Sequence, residues 1–463
     1  MTTVGEGSAQ VGEAKPRQPY PGLRQRRQAE LTEELRATPA LTSSHAGAPT
    51  AVIDTITGRL GALDADLLAF SLDLHANPEL AYAEHHAVAA LAALLGEHGH
   101  EAETGAYGVP TALKATAGSG GPHVAIVAEY DALPGIGHAC GHNIIAASAA
   151  GAFLALADLV TTRGGPGGTV TLVGSPAEEG GGGKQLILDA GGFDDVDFAL
   201  MVHPGNIDVA GSRSLGFRQV AVTYRGIAAH SATGPHWGVN ALDAVVTAYN
   251  GIAQLRQHIL PTDRVHGIIT DGGQAPNIVP EQASAVFFVR SLDVATLADL
   301  HERVTAILTA AATATGTVAD IRWDNAPPYL PLRTNSALEA RYAVNLAERR
   351  RVLPVSARPV DEVASTDMGN VSLYVPSIHP IIAIAPRGVA NHTAEFATYA
   401  GEEPGARAVS DGALGLAATV ADFLHDETLR ADARAEFDRE GGRLVLDQAL
   451  HGGVPTTKKG EQA

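Results

Sequence analysis

Residues 123–160 read HVAIVAEYDALPGIGHACGHNIIAASAAGAFLALADLV, and this stretch decides the fold class. HVAIVA, following a Ser-Gly-Gly turn, is a short apolar run that reads as a strand. Asn143–Val160 is apolar nearly all round, which reads as a helix enclosed by protein. A polar, Gly-containing loop joins the two. Strand, loop and buried helix form the repeating unit of layered α/β domains with a mostly parallel sheet.

Working outward, more of the same units appear on both sides. Ile56–His75 is amphipathic, with Leu60, Leu63, Leu67, Leu68, Leu72 and Leu74 on one broad stripe. A second helix is expected over Glu84–His98, strands at Thr111–Ala115, Thr169–Val173 and Asp197–Val202, and a short helix at Gly183–Ala190. The pattern then changes. Phe217–Arg225, Val265–Thr270, Ala283–Arg290 and Thr317–Trp323 read as strands, with helices at Gly238–His258 and Val294–Thr313. That β-α-β-β-α-β order is ferredoxin-like. It reads as an insertion, because a helix (Ser336–Arg349), a strand near Pro380–Ile384 and a closing helix (Ser410–His425) resume the α/β pattern. The expected organisation is a flexible N-terminal arm (1–50) with a short helix near Arg27–Arg36, an α/β domain in two pieces (51–214 and 326–430), an inserted α+β domain (215–325) and a C-terminal tail (431–463).

Composition removes several function classes. The 463 residues carry 32 Lys plus Arg against 51 Asp plus Glu, a net charge of −19 that repels nucleic-acid phosphates. The single cysteine rules out an intrachain disulfide and fits a reducing, cytoplasmic setting. The N-terminus lacks the apolar segment of a secretory signal, and no membrane-spanning run is expected.

Ligands of open α/β sheets bind at the carboxyl ends of the strands, and four polar clusters fall there. They are Glu129-Tyr130-Asp131 with GIGHACGHN, Pro176-Ala177-Glu178-Glu179 before four glycines, His203-Pro204, and Asn391-His392-Thr393. Cys140 and His142, a thiol and an imidazole two positions apart, suit Zn²⁺ or another borderline divalent ion; a structural Cys beside an unrelated His reads equally from spacing alone. Adjacent Glu178 and Glu179 repel each other unless a cation lies near, although a solvated acidic turn also fits. His203 and His392 each end an element, where a hydrogen-bonding role competes with ligation. Taken jointly, one thiol, three imidazoles and a carboxylate exceed a single tetrahedral site and suit a two-metal centre sharing a water. A cysteine amidase with Cys140 and His142 would leave Glu178, Glu179 and His392 unexplained, and a zinc deaminase needs more cysteines than the chain has.

These stretches, with HANPELAYAE, AEYDALP, PAEEGGGG, MVHPG, AAHSATGPHWGVNAL, APNIVP and NHTAEFA, resemble the dinuclear-metal aminoacylase and carboxypeptidase G superfamily of metallopeptidases. The similarity runs from about residue 70 to 397 and is strongest to the amidohydrolase branch with hippurate and auxin-conjugate hydrolases. AEYDALPGIGHACGHN and STDMGNVS further resemble β-alanyl-lysine dipeptidase and p-aminobenzoyl-glutamate hydrolase. The resemblance implies that Cys140, His142, Glu179, His203 and His392 bind two divalent ions (Zn²⁺ or Mn²⁺, with Co²⁺ or Ni²⁺ also compatible). It implies that Glu178 is the general base, and that Asp131 and Asp367 support the site from behind. Other branches carry a His where Glu129 stands and an Asp where Cys140 stands. The insertion resembles a lid and dimerisation domain, making a homodimer the expected assembly. His230 there matches a residue polarising the substrate carbonyl, and Asn277 and Arg290 match positions holding its carboxylate. The implied reaction is hydrolysis of an amide or peptide bond in a small N-acyl amino acid or dipeptide. An aryl amide of the p-aminobenzoyl-glutamate type, or a role as non-catalytic partner subunit, are the alternatives.

Overall fold

A computed structural model describes residues 19–162, 167–347, 349, 351, 353 and 364–451. The chain divides after Pro39. The first unit holds the helix Leu23–Ala37, longer than the expected Arg27–Arg36; residues 1–18 of the expected arm lie outside the described residues, as do 452–463 of the expected tail. The second unit carries all of the sheets.

Its main sheet has six strands in the order Glu103–Thr104, Leu113–Ser119, Gly168–Ser175, His123–Glu129, Phe198–Leu200 and Ser377–Ile378. The first two pairings are antiparallel and the last three parallel, which is the mostly parallel α/β sheet read from the sequence. His123–Glu129 is central and buried on both faces. Val124 and Ile126 belong to one apolar core with the helices Thr50–Ala76, His142–Thr161 and Glu403–His425. Ala125 and Val127 belong to another, with Ile187, Phe193, Met368 and Val371.

The Ala-rich composition of His142–Thr161 has a packing cause. A methyl at Gly151 would come within 2.6 Å of Leu67 Cδ1 and 3.1 Å of Ala413 Cβ, so small residues set how closely three helices approach. By length and apolarity this helix passes for a membrane span, against the expectation that no such run exists. Its apolar window is 83% buried inside the fold, as befits a core helix.

The expected strand Asp197–Val202 is shortened to Phe198–Leu200. Phe198–Leu200 stays in the main sheet, while His203–Gly205 leaves it to pair with Ile381–Ala383. The partner segment carries Pro380, which has no N–H for the ladder, although His203 N still donates to Pro380 O at 2.9 Å.

The insertion forms a second sheet, wholly antiparallel, in the order Val318–Trp323, Gly216–Arg225, Gln282–Ser291, Arg264–Asp271. Burial alternates along Gly216–Arg225 and Gln282–Ser291, and helices Ala241–Leu255 and Val294–Thr315 cover the apolar face. The first helix begins at Ala241, not Gly238, because the Asn240 side chain accepts from Leu242 N and Asp243 N. The chain enters this layer at Phe217 and leaves at Tyr329, and the two residues exchange backbone hydrogen bonds of 2.7 and 2.9 Å.

The C-terminal stretch differs from the expected tail. Glu427–Arg439 is a helix capped by Asp426 that buries Leu429, Ala433 and Phe437, three residues four apart within a charged run. Leu446–His451 adds Ala449 and Leu450 to the core of the inserted sheet.

Candidate metal centre

Four segments meet at the carboxyl edge of the main sheet. Cys140 is buried, with Sγ 3.5 Å from His203 Nε2 and 3.4 Å from His392 Nε2. His142 starts the core helix; its Nε2 lies 3.8 Å from a carboxylate oxygen of both Glu178 and Glu179. His392 Nε2 lies 3.4 Å from Glu179 Oε1. Among the described residues donor atoms fall into three compact sets: Cys140–His142–His203 and Cys140–Glu179–His392, with the sulfur common to both, and Glu129–His142–Glu178, which shares His142 with the first.

Backbone geometry sets these side chains. Gly141, between Cys140 and His142, has φ 79°, and a methyl there would sit 2.8 Å from Pro204 Cγ; only glycine lets the turn close against the His203 segment. Ala177 (φ 60°) and His392 (φ 64°) hold the left-handed conformation without being glycine, and strain of this kind concentrates at functional sites. His203 Nδ1 is 2.7 Å from Pro204 O, which leaves Nε2 for the sulfur side.

Behind the donors stands a ring of supporting contacts. Asp131 Oδ1 meets His142 Nδ1 at 3.0 Å and Oδ2 accepts from Glu179 N at 2.9 Å, so one carboxylate aligns two of the donor residues. Among the described residues no hydrogen bond or ion pair joins Asp367 to the donor residues. Asp367 binds Lys184, whose buried Nζ lies 2.5 Å from Asp367 and 2.6 Å from Glu129. Sequence reasoning missed three contributors. Glu84 Oε1 accepts from Ala177 N at 2.9 Å. The Tyr329 hydroxyl accepts from Gly180 N and Gly182 N and donates to Glu178 O. Lys184 is the third. Glu84 lies in the quoted HANPELAYAE stretch, but nothing in its spacing names its partner.

Electrostatics separate the two glutamates. Burial, with Glu129 and Glu179 nearby, pushes the Glu178 carboxyl well above its usual range. Burial acts the same way on Glu179, but hydrogen bonding to His392 and the His142 charge outweigh it and lower its pKa. Burial lowers His203 to about 4. Against burial, Asp131 holds His142 well above the ordinary imidazole value. Burial and Glu179 push the Cys140 thiol up. The site therefore concentrates acidic groups around soft and borderline donors, and His142 Nε2 is buried without a hydrogen-bond partner. This donor set fits a pair of divalent cations.

The inserted layer holds the other sequence-derived residues apart from this cluster. His230 is exposed; its Nδ1 accepts from Ala232 N and Thr233 N, so Nε2 bears the proton. Exposed Asn277 lies beside it, with its carbonyl accepting from Ser231 N at 3.0 Å. Arg290 is half-buried, stacked 5.0 Å over Phe217, and donates to Ser365 Oγ at 2.8 Å. Among the described residues no hydrogen bond or ion pair joins His230 or Asn277 to the donor cluster.

Comparison with known proteins matches residues 214–315 to the peptidase dimerisation domain. The chain is 37% identical over 401 residues to the Xaa-Arg dipeptidase of Mus musculus, covering 83% of this chain and 90% of that one. It is 36% identical over 278 residues to one of the subunits of p-aminobenzoyl-glutamate hydrolase of Escherichia coli, covering 56% of this chain and 58% of that one. In fold it is similar to the dinuclear metal-binding peptidase YXEP of Bacillus subtilis, with TM-score 0.58 and 18% identity over 78% of this chain and 99% of that one.

Proposed function

The chain belongs to the dinuclear-metal aminoacylase and carboxypeptidase G superfamily and is a metal-dependent hydrolase of amide or peptide bonds in small substrates, and from that premise we propose how its residues divide the work. Cys140, His142 and His203 would hold one divalent ion, and Cys140, Glu179 and His392 the second. Zn²⁺ and Mn²⁺ suit these donors best, and Co²⁺ or Ni²⁺ are compatible. Bound there, the ions supply Lewis acidity to a water and to the substrate carbonyl. The observation that carries this reading is the approach of two imidazoles, His203 and His392, to within 3.5 Å of the Cys140 sulfur, from as far as 252 positions along the chain.

Glu178 acts as general base. Facing the donor cluster beside Glu179, with its proton affinity raised by burial and by Glu129, it would take a proton from the attacking water and return it to the leaving nitrogen. The Nε2–H of His230 is free to donate to the carbonyl oxygen as it gains charge. Arg290, backed by Phe217 and Ser365, and Asn277 bind the substrate's carboxylate. The inserted layer acts as lid and as the contact of a cytoplasmic homodimer.

The substrate class is a dipeptide or N-acyl amino acid with a free carboxylate. Similarity to Xaa-Arg dipeptidases puts dipeptides ending in a basic residue first. A p-aminobenzoyl-glutamate-type amide is the second reading, and because that relative is a subunit by name, a partner-subunit role is tested with it. The purified chain, alone, is assayed against basic dipeptides, N-acyl amino acids and p-aminobenzoyl-glutamate, with and without chelator. Glu178→Gln is expected to keep its metal and lose turnover by about 10²–10⁴-fold. Wild-type rates in that variant contradict the base assignment, and chelator-resistant turnover contradicts the metal reading. Silence of the folded, metal-loaded chain toward every substrate favours the partner-subunit reading.

A further inference from the structure

Glu129 ends the central strand and is wholly buried. Its two oxygens have different surroundings. Oε1 is held by Lys184 Nζ at 2.6 Å. Lys184 is itself fixed, because Asp367 takes its Nζ at 2.5 Å through one oxygen and its backbone N–H at 3.0 Å through the other. The clamp turns Oε2 toward the donor cluster, 3.6 Å from His142 Nε2. Neither of those two buried atoms has a hydrogen-bond partner.

The chemistry of that face-off is informative. His142 Nδ1 is committed to the Asp131 carboxylate, so Nε2 is the ring nitrogen that faces the other carboxylates, and it offers them a lone pair once a divalent cation takes the place of its proton. A lone pair then faces a carboxylate oxygen, with Glu178 Oε2 also 3.8 Å from the same nitrogen. Buried acceptors pointed at one another repel unless something positive lies among them. Metal–nitrogen and metal–oxygen bonds of about 2.0–2.2 Å bridge separations of this size.

We propose that Glu129 is a further metal ligand, contributing Oε2 to the ion held by His142 and His203, with Lys184 and Asp367 acting as positioning residues that aim it. The inference rests on the two-ion reading above and adds to it a sixth ligand residue. It also makes the two positions unequal. The His142 side gains a hard oxygen donor, which favours harder ions such as Mn²⁺ more than a thiolate and imidazoles alone would.

The test uses the full chain stripped of metal and titrated with Mn²⁺ alone, read by calorimetry and electron paramagnetic resonance. The wild type takes two ions. Glu129→Gln, nearly isosteric, is expected to bind one ion unchanged and the other at least ~100-fold more weakly, beyond the 10–100-fold typical of losing an outer partner. Two ions bound by the variant with wild-type affinities and spectrum overturn the proposal while leaving the two-ion reading intact. Failure of the wild type to take up Mn²⁺, Zn²⁺ or Co²⁺ overturns both. Should the variant not fold, a crystal structure of the Mn²⁺-loaded wild type decides: a Glu129 oxygen at about 2.0–2.3 Å from the ion supports the proposal, and one beyond ~3 Å overturns it.

Discussion

Single residues show most directly what a sequence can and cannot announce. Cys140, His142 and Asp131 lie within twelve positions, and their types and spacing already suggest a ligand turn. Lys184, by contrast, reads as one more surface lysine after a glycine run. Only the fold reveals that it is fully buried between two carboxylates. Glu339 is a second case, away from the site. It sits in the first turn of the helix Ser336–Ala347, 4% exposed, with its carboxylate packed where a Gly211 side chain would be. Burial, with Glu436 and Glu440 adding repulsion, raises its pKa from 4.5 to about 8. A raised acid pKa means the folded state holds the proton more tightly than the unfolded state. The stabilising contribution is therefore complete below about pH 4.5 and lost as pH rises through about 8. Glu339→Gln is expected to melt with the wild type at pH 4.5 but to exceed it by ~1–3 kcal/mol at pH 8.5. Parallel melting curves for the two proteins across this range contradict that account.

At the scale of elements, the loop Pro176–Gly183 decides whether its two glutamates are useful. It was legible as a strand tip with an acidic pair and glycines, but its supports come from far along the chain. Glu84 pins its start and Tyr329 its glycines. Long-range partners carry no local spacing signal, so periodicity and motif reading pass over them. Tyr329 has a second role, because it sits where the chain returns from the inserted layer, in a backbone bridge with Phe217. The hydroxyl that fixes the Glu178 carbonyl thus belongs to the junction between the inserted layer and the α/β domain. Tyr329→Phe removes contacts to one carbonyl and two backbone N–H groups while keeping the ring. The expected result is a fall in kcat of roughly 10–100-fold with KM altered less than threefold and metal content preserved, in line with ~1–3 kcal/mol for buried groups left unpaired. A variant in which KM rises while kcat stays at the wild-type value assigns Tyr329 to substrate binding and not to the loop.

For the whole molecule, the alternation of strand and helix was readable because its long elements are strongly patterned, whereas strands of two or three residues such as Glu103–Thr104 and Ser377–Ile378 carry no period to read. The exceptions have physical causes. The strand after Asp197 stops at Leu200, beside a neighbour whose Pro380 has no N–H for the ladder, and the charged C-terminal stretch hid an apolar face of Leu429, Ala433 and Phe437. Assembly is the level at which the sequence is least explicit, and here the inserted layer carries the argument. Arg264–Asp271 is an edge strand with one side unpaired, and Ile268 and Ile269 are 65% and 43% exposed. An apolar, unpaired edge is a template for pairing with another chain, and a second copy pairing antiparallel across a two-fold axis satisfies both edges at once. Among the described residues no hydrogen bond or ion pair joins His230 or Asn277 of this layer to their own chain's donor cluster, which fits the proposal that a partner's copy of this layer supplies the carbonyl-polarising group. Ile268→Lys is expected to yield monomers by sedimentation, with two metal ions per chain retained and turnover reduced at least ~10-fold, as expected for loss of an oxyanion donor. A variant that remains dimeric removes the edge-strand interface from consideration. One that becomes monomeric yet keeps full turnover returns His230 to its own chain's site.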